Sequence, residues 1–408
     1  MTSPKERKER AVRALNKKPA YGGDIRLEDY LLTGQERAYE PEPSRLPDEE
    51  KQRMLQAGVV LENNAQRGGT FLQVDQSVVH SSSAESGVEV LPITRALESY
   101  DWLADYWWKA VDVDADKFTA HVELSEFNGY LIRSLPGAKE VLPVQACLYL
   151  GHNKLAQRVH NIVIAEEESE LHVIAGCLTS RMAASGLHLG VSEFYVKPRA
   201  KLTFTMIHNW SPGIEVRPRS GALVEQGGVF VSNYISIRAL KTLQMYPTVR
   251  CVGEDSVVRF NSILVAPPDC TLDVGSRVLL EGKGSRAEVI SRAVSIGGDV
   301  IARGYLEGRA PDVKGHLECR GLLLASHGTI HAVPELKGSL PGIDLSHEAA
   351  VGKIAEEEVE YLMARGLTRD EATSTIVRGF LRVEIEGLPD ELADEIKHVV
   401  ESSEADVF

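Results

Sequence analysis

A chain of 408 residues, 43% of them hydrophobic, is long enough to bury a large core and to hold two or three structural units. Its formal net charge of -14 excludes broad binding to nucleic-acid phosphates or anionic lipid, both of which select a basic face; only a local basic patch remains compatible. No run approaches a membrane span, and the five cysteines are scattered, odd in number and never spaced C-x-x-C, so free thiols in a reducing cytoplasm are expected rather than a disulfide framework.

In chain order, the basic start MTSPKERKERAVRALNKK has no apolar stretch behind it and does not read as a secretory signal; solvated helix and disordered arm are equally compatible with it. Pro41, Pro43 and Pro47 punctuate a linker, after which 48–58 predicts a short helix ending at Gly58. Trp102, Tyr106, Trp107 and Trp108 fit a buried helical face better than a ligand cage. From about Phe118 to His331 the pattern changes to short β-like runs, among them HVEL, NIVIA, LHVIAG, EFYV, KLTFTMI, VVRFNSILVA, RVLLE and AEVISRAVSI. A polar turn entering a strand recurs at 167–171, 197–202, 254–258 and 283–289, which is the logic of a solenoid whose coils bury one another; periodicity alone leaves a sandwich open.

The C-terminal stretch is the most regular. Ala355, Val359, Leu362 and Met363 share one helical face, Gly366 permits the positive φ that ends that helix, and Thr368 with Glu371 forms a T-x-x-E capping box for a second helix starting near Arg369. Ala372, Ile376 and Phe380 are the stripe of that second helix, so the two pack as a hairpin. Pro389, Leu392, Ile396, Val399 and Val400 predict one more amphipathic helix. Gly352-Lys353 mimics the end of a phosphate-binding loop, but His347 stands where its first Gly belongs and Ile354 replaces the magnesium-binding Ser or Thr, so any nucleotide is bound by another chain.

The order S-H-E-A-A-V-G-K-I, then E-x-x-x-x-Y-L-M-x-R-G, then I-V-R-G-F, resembles the C-terminal region of the SufB/SufD family of iron-sulfur cluster assembly proteins. The resemblance is strongest over 344–381 and extends more loosely back to about Phe118. It implies a mainly β fold, a right-handed parallel β-helix core at 118–343 flanked by an N-terminal helical and linker region at 1–117 and a C-terminal helical subdomain at 344–408. It also implies a non-enzymatic cytoplasmic scaffold for iron-sulfur cluster assembly and transfer. Its expected partners are a SufC-like ABC-type ATPase, a sulfur donor, acceptor apoproteins and a second copy or a SufB/SufD-type heterodimer partner. The ATPase would dock on the terminal helices at Val359, Leu362, Met363, Ile376 and Phe380.

For the chemistry, the segment GHLECRGLLLASHGTIHAVPEL resembles the one that supplies a cluster-ligating cysteine, which is Cys319 here, and His347-Glu348 matches the family's carboxylate position. A thiolate is a strong iron ligand and a carboxylate an exchangeable one, a combination suited to a transient 2Fe-2S or 4Fe-4S cluster. Cys177 in IAGC resembles the sulfur-accepting cysteine, with Ala175 in place of an acidic residue; Asn209 and Trp210 match a Q-N-W segment in which His208 replaces Gln. Each has an ordinary structural reading as well: Cys319, Cys177, Cys147, Cys251 and Cys270 as small buried hydrophobes, Glu348 as a first-turn helix residue, His347 as a solvated imidazole. A SufD-like structural partner that builds no cluster is the alternative function. A polysaccharide-acting β-helix enzyme is disfavoured, because paired acids on successive coils are lacking.

Overall fold

The computed structural model describes residues 3–61, 67–83, 87–139 and 142–381. From Val144 the chain winds as a β-solenoid of about eight coils with helices at both ends. One wall is a parallel sheet of the strands Val144–Leu150, Glu170–Thr179, Lys201–Asn209, Val229–Ser236, Val257–Ala266, Arg286–Ser295, Lys314–Leu323 and Asp344–Gly352. The other wall holds the strands that alternate with them, from Leu155–Ala165 to Thr329–Gly338. Side chains alternate in and out along each strand, so Leu202, Phe204, Phe230, Val258, Phe260, Val289 and Leu317 fill the lumen while their neighbours face outward. Register is unbroken from coil to coil: Cys177 lies beside His208, then Ser236, Leu264, Ala293, Gly321 and Val351.

The corners explain the faint repeat. At one corner of successive coils a residue takes a left-handed conformation: Glu168, Arg199, Gly227, Asp255, Gly284, Asp312 and Gly342, each roughly thirty residues from the next. At Gly284 (φ 71) a Cβ would also lie 2.4 Å from Asp255 Oδ1, so both backbone and space demand glycine there.

The two ends of the solenoid differ. At the N-terminal end Ser77–Ser83 runs antiparallel to Gly69–Val74, and Val88–Pro92 antiparallel to Tyr130–Ser134, and the reversals stop the repeat. The region 1–117, expected to be helical and linker-like, therefore contributes three strands to the sheets as well as the helices Pro4–Ala14, Asp48–Leu55 and Ile93–Ser99. His121–Leu124, expected as a strand, instead closes the helix Lys117–Glu123. Asp116 accepts hydrogen bonds from the N–H of Phe118 (2.9 Å) and Thr119 (3.1 Å), and this capping box outweighs β propensity.

The aromatic segment is buried but is not a regular helix. A 3-10 turn at Asp101–Asp105 leads to Trp108, whose φ is 58°. The cause is Glu193, an outward residue of Gly186–Val196 that is fully buried beneath the segment. Its carboxylate accepts from the N–H of Trp108 (2.6 Å), Ala110 (2.6 Å) and Val111 (3.2 Å), from His160 Nε2 (2.8 Å) and from Tyr195 Oη (3.0 Å). Trp108 Nε1 in turn donates to Glu123 (2.6 Å), which pairs with Arg7 (2.8 Å) and so ties the first helix down.

At the far end the strand Asp344–Gly352 extends the solenoid nine residues into the region expected to be helical; alternating Leu345, His347, Ala349 and Val351 follow a strand period. The helices Glu356–Met363 and Arg369–Leu381 come next, separated by Gly366 (φ 99) and the expected box, in which Thr368 N donates to Glu371 Oε2 (2.7 Å). Val377 and Leu381 pack on an outer stripe of Ile207, Ile235, Ile263 and Val294. The helix expected around Leu392 lies outside the described residues.

Replacing Glu193 by Gln keeps the volume but leaves one acceptor oxygen for donors that now share two, stranding buried amides. E193Q should lose at least about 2 kcal/mol in denaturant unfolding followed by tryptophan emission. A change within a few tenths would show that the aromatic segment is held by apolar packing alone.

Candidate functional site

Cys177 faces the lumen near the end of Glu170–Thr179 and is fully buried, with its Sγ 3.5 Å from Met206 Sδ in the next coil. Burial raises its pKa well above the ordinary thiol value, so the resting group is a thiol. His208 is its register partner, and Tyr234 Oη meets His208 Nδ1 at 2.6 Å. Trp210 lies inside, with ring centroids 5.1 Å from His188 and 5.4 Å from His208. Asn209, by contrast, points out toward Gln56.

A cavity of about 70 Å³ lies in the lumen, lined among others by His188, Met206, His208, Tyr234, Ser262 and Ser291. Ser262 and Ser291 are register neighbours, and Ser291 is the partner of Cys319. The small polar row leads from the neighbours of Cys177 toward Cys319. Five strand steps separate the two thiols' strands, roughly 24 Å at about 4.8 Å per step, so they cannot react directly within one chain.

Cys319 is in the last complete coil, 3% exposed, its pKa raised to about 11 by burial and by Glu318. Its register partner on Asp344–Gly352 is Ala349, and alternation places His347 on the same lumen-facing side of that terminal strand. His347 is nevertheless exposed, because no further coil covers it among the described residues. Glu348 lies on the opposite, outward face. It extends a ladder of alternating charge, Arg292–Glu318–Arg320–Glu348, whose last link is 3.2 Å. Cys319 and Glu348, both expected as iron ligands, occupy adjacent strands but opposite faces, because 348 is out of phase with 319 in the pleat. His347 is the residue brought to the thiol's side. Among the described residues no three His, Cys, Asp or Glu side chains gather closely enough to hold a metal ion.

The other cysteines pack in apolar clusters, Cys251 and Cys270 in the lumen core and Cys147 in an outer cluster with Met54 and Tyr149. His316 pairs with Ser346 (2.9 Å) on the outer face, and His327 sits in a turn against Gly297.

Residues 149–380 match the core domain of SufBD proteins of the SUF system for iron-sulfur cluster assembly. The chain belongs to the SufBD family. An iron-sulfur cluster assembly SufBD family protein of Archaeoglobus fulgidus is 53% identical over 359 residues, covering 88% of this chain and 96% of its own. A Methanothermobacter thermautotrophicus (strain Winter) relative of the same description is 51% identical over 400 residues, 97% of both chains. The iron-sulfur cluster assembly protein SufB of Bacillus subtilis is 27% identical over 398 residues, 94% of this chain and 84% of its own. The solenoid is thus that of a SufBD protein that takes part in iron-sulfur cluster assembly. No helix among its described residues is long and apolar enough to cross a membrane.

In this SufBD protein the residues expected to bind a partner divide into two sets. Val359 is buried, and Phe380 is packed against the isoleucine stripe. Leu362 and Ile376 line a surface groove with Tyr361, Glu357 and Glu358, and Met363 is 40% exposed beside it. Sequence reasoning passed over His188, Tyr234 and the lumen serines. Their one signal was a polar residue at an inward position of a strand, legible only once inward is known.

All five thiols are buried, so the native protein should react slowly with an aromatic disulfide at neutral pH and release five equivalents once unfolded. A pKa near 11 leaves Cys319 about a hundredfold less thiolate than a free cysteine at that pH, and its alkylation should accelerate as pH rises toward 11. Fast native labelling of Cys319 would mean that the open end exposes the thiol.

Proposed function

We propose that this SufBD protein is a scaffold on which a transient iron-sulfur cluster is built at the open end of the solenoid. Cys319 is the thiolate ligand and His347 joins it from the same face, while Glu348 stays outward in its pair with Arg320. The observation that carries this reading is a lumen cysteine and, on the neighbouring strand, an exposed histidine turned to the same side, at the end that no coil covers among the described residues. Iron replaces the thiol proton on binding, which offsets the cost of a thiol held at a raised pKa. Cys177 receives sulfur from a donor protein at the other end of the cavity, the lumen carries it toward Cys319, and acceptor apoproteins take the finished cluster.

A second copy completes the ligand set. Among the described residues the terminal strands Asp344–Gly352 and Thr329–Gly338 each leave one backbone edge unpaired, and Leu336, Leu340 and Val351 are 36–43% exposed there. Natural proteins rarely leave such an edge bare. Two copies meeting end to end pair those edges and bring two Cys319 and two His347 residues together. The groove of Tyr361, Leu362 and Ile376 with its acidic rim is the docking surface for a SufC-like ATPase, which hydrolyses ATP while this chain catalyses no reaction. A SufD-like structural role is favoured by the complete burial of Cys177, and it is the reading left if no cluster forms.

Anaerobic reconstitution with iron and sulfide should give visible cluster absorption that C319S reduces at least about fivefold and H347A partly, because each removes a ligand that cannot be replaced locally. Equal spectra for native protein and C319S would overturn the ligand assignment. For docking, Y361A combined with I376D should weaken co-purification of the ATPase at least about tenfold, the effect of losing one anchoring contact. V359A is the contrasting variant, lowering stability through the packing it loses.

A further inference from the structure

The lumen beside Cys177 contains a histidine that neither the ligand set nor the docking surfaces use. Cys177 and His188 flank the same corner of one coil: Cys177 precedes the end of Glu170–Thr179 by two residues, and His188 follows the start of Gly186–Val196 by two. Both point inward from facing walls. His188 is 3% exposed, and its Nδ1 lies 2.9 Å from Gln157 Oε1.

That contact sets the tautomer. Gln157 Nε2 donates to two backbone carbonyls, Asp75 O (3.1 Å) and Tyr149 O (3.2 Å), neither of which can donate in return. The amide oxygen must therefore face His188, and an amide oxygen only accepts, so Nδ1 carries the proton. Nε2 is left with a bare lone pair. Among the described residues no donor meets it, and it lies over Gly190, where a Cβ would come within 2.7 Å. Gly190 and His188 both line the cavity. Burial lowers the His188 pKa to about 3, and burial also holds neighbouring His208 well below its ordinary value, so both rings stay neutral at physiological pH. A neutral acceptor with Met206 and Trp210 nearby suits a neutral, weakly hydrated donor and disfavours an anion. Sulfur bearing a proton has that chemistry.

We propose that His188 Nε2 is the hydrogen-bond acceptor of a binding site for a protonated sulfur group, either the terminal S–H of a persulfide on Cys177 or hydrogen sulfide free in the lumen. The persulfide source rests on the reading of Cys177 as sulfur acceptor; the free-sulfide source does not. No bond is made or broken in this step, and His188 holds sulfur in its neutral form.

The test uses the full chain with ring-15N histidine under strict exclusion of oxygen, with sodium sulfide and glutathione persulfide as separate probes. H188N retains an amide donor where Nδ1 meets Gln157 and removes Nε2, so it identifies the Nε2 resonance while keeping the fold. That resonance should move upfield with either probe. In C177S the response to sulfide should persist and the response to glutathione persulfide should disappear, which separates the two sources. G190A, which fills the space over Nε2, should abolish both responses with His188 present. By mass spectrometry, the added sulfur on Cys177 should be lost roughly threefold to tenfold faster in H188N, the effect of one neutral hydrogen bond. If Cys177 takes up no sulfur and sulfide still moves the resonance, the sulfur-acceptor reading fails and this site stands. A resonance unmoved by either probe overturns the site, whatever the state of Cys177.

Discussion

Coil-on-coil register is the constraint on which this structure depends. No single coil can bury its own inward face, so each row of lumen side chains is covered only by the same row one coil earlier and one coil later. A shift of one residue would exchange Phe204, Phe230 and Phe260 with Thr203, Val229 and Arg259 and turn the lumen out. The same constraint lines up Ser262, Ser291 and Cys319 in one file, because a row is conserved in direction along the axis even where its residues change. Small side chains in that file leave the space that the cavity occupies.

A stack of this kind has a problem at each end, and this chain treats the two ends differently. At one, antiparallel strands and the Glu193-anchored aromatic segment cover the first coils, with a buried carboxylate accepting five hydrogen bonds. Burying that charge is tolerable only because its lone pairs are matched by so many donors. At the other end, among the described residues, two strand edges and several apolar side chains stay open, beside Cys319, His347 and Glu348. The proposed cluster ligands therefore lie where the described residues leave the stack of coils open.

Local signals were read well from the chain. The capping box at Thr368, the stop at Gly366, the helix from Asp48 and strands such as Val257–Ala266 depend on neighbours within a few residues, and their chemistry is visible in order. The misreadings came where a distant group intervened. Trp102 to Trp108 has helical spacing, but Glu193 pulls three amides of the following turn onto one carboxylate. His347-Glu348 read as the threshold of a helix because the strand Lys314–Leu323, which claims it, lies about thirty residues earlier.

What the sequence determined by itself is the family, through that resemblance the solenoid, and the identity of the sulfur-bearing and acidic candidates, since these reside in residue type and motif order. What only the tertiary structure decided is which way each candidate faces. Phase in a pleat is set by pairing with the coil before it, and that phase put Cys319 and His347 on one side, Glu348 on the other, and His188 across the corner from Cys177.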